Sequence, residues 1–236
     1  MLIIFTGWLQ QEIQNIVNDF YYHYLMELTP RRKKVLTYVL AFISIGFLLL
    51  TAFVLYFPES VIDREFSEEV QEFQHPFFDR AMKLVSYPGY MPYAPIMVIL
   101  TAGIFYIRKF KKEGLFLLLT MLSGLVSTIV KYLVDRPRPS SDLVKIVLET
   151  HQQSFPSGHV MFYVIFFGFM ALLMYSIKKI NRTFRITAGI LCMVMIFSIP
   201  VSRIYLGAHW FTDVLGGFLL GILYLYGLSY FYLKQR

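Results

Sequence analysis

Three short stretches carry side chains whose types and spacing suit phosphorus chemistry. Residues 131–139 read KYLVDRPRP, residues 154–159 read SFPSGH, and residues 202–213 read SRIYLGAHWFTD. Between them they hold the cations Lys131, Arg138 and Arg203, the imidazoles of His159 and His209, the Ser157 hydroxyl, the Asp213 carboxylate and Gly158. Arginine offers a planar fork to phosphate oxygens, and lysine adds a point charge. Gly158 opens an apolar run, where helix-start amides can approach an anion closely and the positive dipole end faces it. Two imidazoles on separate segments allow one to attack phosphorus and the other to protonate the departing oxygen. If residues 209–213 are helical, His209 and Asp213 share a face. Asp213 then takes a proton from one ring nitrogen and leaves the other free to attack. On that reading His209 is the nucleophile and His159 the acid. A second reading of the pair stays open: His209 and Trp210 form an interfacial belt, and Asp213 caps the following helix. His23, His75 and His151 lack such partners and read as surface or interface residues.

The elements that must position these groups are membrane helices. Of the 236 residues 57% are hydrophobic and 16% charged, with mean hydropathy +0.57, which is too apolar for an ordinary soluble domain. Apolar runs at 35–57, 92–107, 115–135, 159–177, 184–201 and 211–232 predict six spans, the second of them short. The fold class expected is all-α: a polytopic membrane bundle of six transmembrane helices with an N-terminal amphipathic helix. In residues 1–30, Phe5, Leu9, Ile13, Ile16, Val17, Phe20, Tyr21 and Tyr24 recur at helical spacing among polar residues. That segment reads either as a helix lying on the membrane or as one packed against the bundle. The division expected is a basic N-terminal segment, 1–34, and a six-span domain, 35–236. No cleavable signal pattern stands at the start, so the first span is expected to direct export.

Charge assigns the sides. Basic clusters at 31–34, 108–112, 178–185 and 234–236 hold 14 of the 22 Lys and Arg, all on one side of a six-span chain. The positive-inside rule makes that side, with both termini, cytoplasmic. The loop 58–90 carries seven acids against three bases and belongs outside, as do the three chemical stretches. The basic clusters are topology signals aided by anionic lipids, not a nucleic-acid surface. Arg136 and Lys145 read as snorkelling or general attraction of an anion. Asp135 reads as a local partner of Arg136 or a helix-end charge. A metal is not expected, because metal-dependent phosphoryl chemistry gathers several carboxylates and the outer stretches offer few. No cofactor is expected, and the lone Cys192 excludes an intramolecular disulfide.

These stretches resemble the signature of the type 2 phosphatidic acid phosphatase superfamily: K-x6-R-P, P-S-G-H and S-R-x5-H-x3-D. Every signature position is matched, by Lys131, Arg138, Pro139, Pro156, Ser157, Gly158, His159, Ser202, Arg203, His209 and Asp213. The motifs cover 131–213, and the span pattern extends the resemblance to about 35–232. The resemblance implies a metal-independent enzyme with its site at the outer membrane face. The short loops and the lack of a long glycosylated outer region point to a bacterial plasma membrane. Lys131, Arg138 and Arg203 would bind phosphate with Ser157 and Gly158. His209 would form a phosphohistidine, Asp213 would orient it, and His159 would donate the proton and later activate water. The implied partner is a lipid phosphate or pyrophosphate: undecaprenyl pyrophosphate, phosphatidylglycerol phosphate or phosphatidic acid. Oligomeric state is left open. A phosphotransferase using the same intermediate is the alternative, and a non-enzymatic membrane protein with a decayed site is a third. Finally, Phe66, Val70, Phe73 and Phe77 recur every three or four residues among acids. They predict one amphipathic interfacial helix, which either walls a lipid entrance or only packs over the bundle.

Overall fold

The structure, a computed structural model, describes residues 29–148, 150 and 152–234. The expected N-terminal amphipathic helix, His23, His151 and Arg236 lie outside the described residues. The described chain is all-helical: α1 (Pro30–Tyr56), α2 (Val61–Gln71), α3 (Pro76–Ser86), a 3-10 turn (Tyr87–Gly89), α4 (Tyr93–Ile107), α5 (Lys111–Leu119), α6 (Leu122–Val134), α7 (Gly158–Ser176), α8 (Arg182–Tyr205) and α9 (Phe211–Lys234).

Five segments are long and apolar enough to cross a membrane: α1, the α5–α6 stretch 111–134, α7, α8 and α9. The sixth forms if 76–107 is one crossing, bent by 58° where α3 and its 3-10 turn meet α4. The bend falls in YPGYMPY, where Pro88 and Pro92 have no N–H to continue a helix. Alone, α4 has 15 residues, about 22 Å of rise, which explains why the second span reads short from sequence. Large side chains such as Phe42, Leu48, Ile107, Leu133 and Phe197 are exposed along these helices, as expected of an integral membrane protein facing lipid.

The core is built round α7. Its apolar residues run all the way round the helix, so it must be enclosed. It packs mainly on α8 and α9, with Val160, Met161, Tyr163, Ile165, Phe169 and Leu173 fully buried. The helix that follows PSGH is therefore the bundle's axis, and its start is held by its neighbours. On α9, a Cβ at Gly217 would stand 2.5 Å from the Ser157 carbonyl oxygen, and one at Gly216 would stand 2.4 Å from the Phe155 ring. Because the Ser157 obstacle is backbone, Gly217→Ala must push the turn off α9. Overpacking of this kind costs about 1–3 kcal/mol, so thermal unfolding in detergent should shift downward and activity should fall with it.

The loop 58–90 is two helices, not one. Pro76 occupies the first turn of α3, and the His75 ring accepts from Phe77 N at 3.2 Å, so a new helix starts there. α2 lies across the end of the bundle where α8 ends and α9 begins. Phe66 stacks on Phe211 at 4.1 Å, and the Gln71 amide donates to the carbonyls of Lys145 and Tyr205, both at 2.9 Å. Phe73 and Phe77 are exposed. Most of this loop straps the bundle.

Candidate active site

Six of the eight residues singled out by sequence line one cavity of about 610 Å³: Lys131, Arg138, Gly158, His159, Arg203 and His209. The other two, Ser157 and Asp213, are fully buried beside it. Lys131 comes from the last turn of α6 and donates to the carbonyls of Gln153 and Ser154, the latter at 3.3 Å. Arg138 follows in the loop and donates to the carbonyls of Gln152 and Ala208. Arg203 comes from the last turn of α8 and donates to Ser86 Oγ and the Tyr90 hydroxyl, both at 3.1 Å.

The Arg203 contacts fix a chain of protons. Ser202 Oγ donates to Met82 O at 2.6 Å, so in its 2.9 Å bond with Ser86 it must accept, leaving Ser86 to accept from Arg203. The C-terminal end of α3 thus orients a site cation. Gly89 and Tyr90 also reach the cavity, with Tyr90 edge-on to the His159 ring at 4.8 Å. A Cβ at Gly89 would stand 2.4 Å from His159 Cδ2, so only glycine leaves that ring its place. His159 Nε2 is buried with no hydrogen-bond partner.

His209 is 2% exposed, and the helix α9 begins only at Phe211, so residues 209–213 are not one helical turn. His209 and Asp213 still meet, with Nδ1 3.5 Å from Oδ2. Asp213 turns back toward the start of its own helix and accepts from Trp210 N at 2.9 Å. The carboxylate thus caps α9 and faces the imidazole, but His209 and Trp210 form no interfacial belt, because both are buried, Trp210 completely. Arg138 Nη1 lies 3.3 Å from His209 Nε2. A guanidinium can only donate, so Nε2 accepts and the ring proton sits on Nδ1, toward Asp213 and Ser154.

Burial, followed by the charges of Arg138, Lys131 and Arg203, holds the His209 pKa well below the usual imidazole value. The imidazole is therefore neutral at neutral pH, with its Nε2 lone pair accepting from Arg138. Burial and Arg203 likewise pull Arg138 down to about 10, still charged at neutral pH. Removing the nearest charge must reverse part of this effect. In an Arg138→Gln variant the His209 pKa should rise toward its ordinary value, read by histidine NMR titration; an unchanged value would mean the guanidinium does not act on the ring.

Arg136 is the main correction to the sequence reading. It does not snorkel but is 2% exposed. Its Nη2 donates to Asp63 and its Nη1 to Asp213, both at 2.6 Å, and Nη1 also reaches the Thr212 hydroxyl at 2.6 Å. Asp135 is not its ion-pair partner. That residue is exposed and ends α6 in the left-handed conformation, in keeping with a helix-end charge. Lys145 is exposed, as expected of a surface base. Sequence reasoning also missed Asp63, Ser154, Ser86 and Tyr90. Asp63 accepts from Thr212 N at 2.9 Å, and Ser154 Oγ donates to Asp213 Oδ2. Asp63 is one of seven loop acids and carries no local mark. Arg136 shares an R-P-R-P repeat with Arg138, which was the only available sign. Among the described residues, no three His, Cys, Asp or Glu side chains converge as metal ligands.

The chain as a whole is similar to known proteins. The family model of the PAP2 superfamily matches residues 113–236. The chain is 32% identical to phosphatidylglycerophosphatase B of Bacillus subtilis over 166 residues, covering 68% of this chain and 78% of that one. It is 27% identical to an undecaprenyl-diphosphatase of Sulfolobus acidocaldarius over 130 residues, covering 53% and 58%. Among solved structures, it is similar to the crystal structure of a transmembrane PAP2 type phosphatidylglycerolphosphate phosphatase from Bacillus subtilis. The TM-score is 0.71 at 25% identity, covering 84% of this chain and 97% of the other.

Proposed function

This chain belongs to the PAP2 superfamily and is a membrane lipid phosphatase, and from that premise we propose that it hydrolyses a lipid phosphate or pyrophosphate through a phosphohistidine on His209. The observation that carries this reading is a contrast between arginines. Arg136 is neutralised by two carboxylates at 2.6 Å. Lys131, Arg138 and Arg203 have no carboxylate in ion-pair reach among the described residues, and their donors go to carbonyls and hydroxyls round the cavity. Two buried cations, Lys131 and Arg203, and the half-buried Arg138, all without counter-ions, make a site that is complete only with an anion.

A phosphoryl group held by these cations lies against His209 Nε2, whose lone pair attacks phosphorus as the bond to the leaving oxygen breaks. His159 Nε2 gives that oxygen its proton. The neutral His159 then takes a proton from water, whose oxygen attacks phosphorus as the P–N bond breaks, and His209 is regenerated. Asp213 holds the Nδ1 proton and offsets the positive charge that the ring gains on attack. The cations stabilise the charge developing on the phosphoryl oxygens. The basic clusters support placing the site at the outer face of a bacterial plasma membrane, with the termini cytoplasmic.

The test is phosphate release by the purified protein in detergent with EDTA, from undecaprenyl pyrophosphate, phosphatidylglycerol phosphate, phosphatidic acid and a soluble ester. Release from at least one lipid, faster than from the soluble ester, is expected. An acid-labile, alkali-stable phosphoenzyme should accumulate on rapid quenching. Folded protein that releases phosphate from no lipid would sink the reading.

A further inference from the structure

One face of the cavity below the cations, that of α6, is polar, while the facing lining includes Met91, Ala94, Pro95, Val98 and Phe162. Ser123, Ser127 and Lys131 are spaced four apart on α6 and form one stripe, each 2–6% exposed and each lining the cavity. Successive members are one helical turn apart, about 6 Å along the axis. At the deep end the lining turns apolar, with Met121, Val98 and Phe162. A lipid phosphate with its phosphoryl group at Lys131 and its tail at Phe162 would have its leaving group in the cavity that Ser127 lines.

The Ser127 hydroxyl is unusual for this chain. Helical hydroxyls ordinarily return to a carbonyl one turn back, as Thr51 does to Phe47 O at 2.7 Å, Thr101 to Met97 O at 2.7 Å and Thr128 to Gly124 O at 2.8 Å. Ser127 Oγ is buried with no partner at all. It lies 3.2 Å from where a Cβ on Gly158 would stand, so it borders the phosphate cradle itself. A buried hydroxyl without a partner is costly unless a ligand completes it.

Resting on the hydrolysis proposed above, we infer that Ser127 is a specificity-determining residue that donates to a second phosphoryl group carried on the leaving group. The donors at this depth are neutral, whereas the three cations gather round the scissile phosphate. An anionic acceptor gains more from a hydroxyl than an ester oxygen does. A lipid diphosphate carries such a group one bridging oxygen from the scissile one, a phosphatidylglycerol phosphate carries an anionic phosphodiester one glycerol unit away, and phosphatidic acid carries none.

The experiment compares wild type with Ser127→Ala in two ways. In turnover, kcat/KM is measured for undecaprenyl pyrophosphate and phosphatidylglycerol phosphate, each relative to phosphatidic acid. In binding, the affinity for methylenediphosphonate is measured relative to methylphosphonate. The substitution should lower the diphosphonate preference and at least one lipid preference by about tenfold, the size of one hydrogen bond to a charged group. Whichever lipid ratio falls identifies the source of the second phosphoryl group. Ratios that stay constant, whatever happens to the separate values, would overturn the assignment. If the wild-type protein hydrolyses no lipid, the hydrolysis reading fails, while the phosphonate ratio still decides the role of Ser127.

Discussion

Replacing His209 by Gln should lower kcat/KM by at least about 10⁴-fold, a loss of the size seen when a covalent nucleophile is removed. Glutamine keeps an amide near the place of the ring but cannot form a stable P–N bond. The loss should lie in kcat, because phosphate is held by Lys131, Arg138 and Arg203, all of which remain. Affinity for inorganic phosphate should therefore change little, and quenched samples should carry no phosphoenzyme. His159→Gln should differ in kind. It retains the nucleophile and loses only the proton donor, so the expected cost is about 10²–10⁴-fold. The deficit should shrink with a substrate whose leaving oxygen needs no proton, such as a nitrophenolate. If the His209 variant kept substantial turnover, or if the His159 variant showed no dependence on the leaving group, the division of labour between the imidazoles would be wrong.

The chemistry-bearing residues were legible because their types are rarely placed at membrane depth without a function. Lys131, Arg138, Arg203, His159 and His209 stood out against apolar helices, and all five line one cavity. Five spans were legible from hydropathy, and the second makes a full crossing only if α3 and α4 join across the prolines of YPGYMPY. What was not legible is what depends on the partner. Asp63 and Arg136 are 73 residues apart, and nothing local distinguishes Asp63 from the other loop acids. The His209–Asp213 contact was anticipated on a helical premise that does not hold. It forms because Asp213 folds back on the N-terminus of α9, a helix-capping geometry that spacing alone does not reveal. The fine shape of the site likewise rests on glycines whose need arises only in contact. Gly89 makes room for the His159 ring, and Gly217 makes room for the Ser157 carbonyl.

The second large effect is expected at Arg136, which touches no substrate-facing surface. Arg136→Leu would leave Asp63 and Asp213 as two fully buried carboxylates that have lost their cation. Breaking a buried pair from one side typically costs about 3–5 kcal/mol, because an uncompensated charge stays behind. Here one cation serves two carboxylates from different elements, so α2, the loop after α6 and the start of α9 come loose together. Asp213 would also lose a fixed orientation, and His209 with it. The expected result is a marked drop in thermal stability in detergent and a loss of activity beyond what the unfolded fraction explains. A second substitution separates the two consequences. Asp63→Asn in the Arg136→Leu background removes one orphaned charge and should recover much of the stability. It cannot restore the donor to Asp213, so activity should stay low. A double-mutant cycle measures that coupling, expected to fall in the range of about 0.5–3 kcal/mol for residues in one network. Additive losses at Asp63 and Arg136 would mean that the α2 strap and the site are energetically independent.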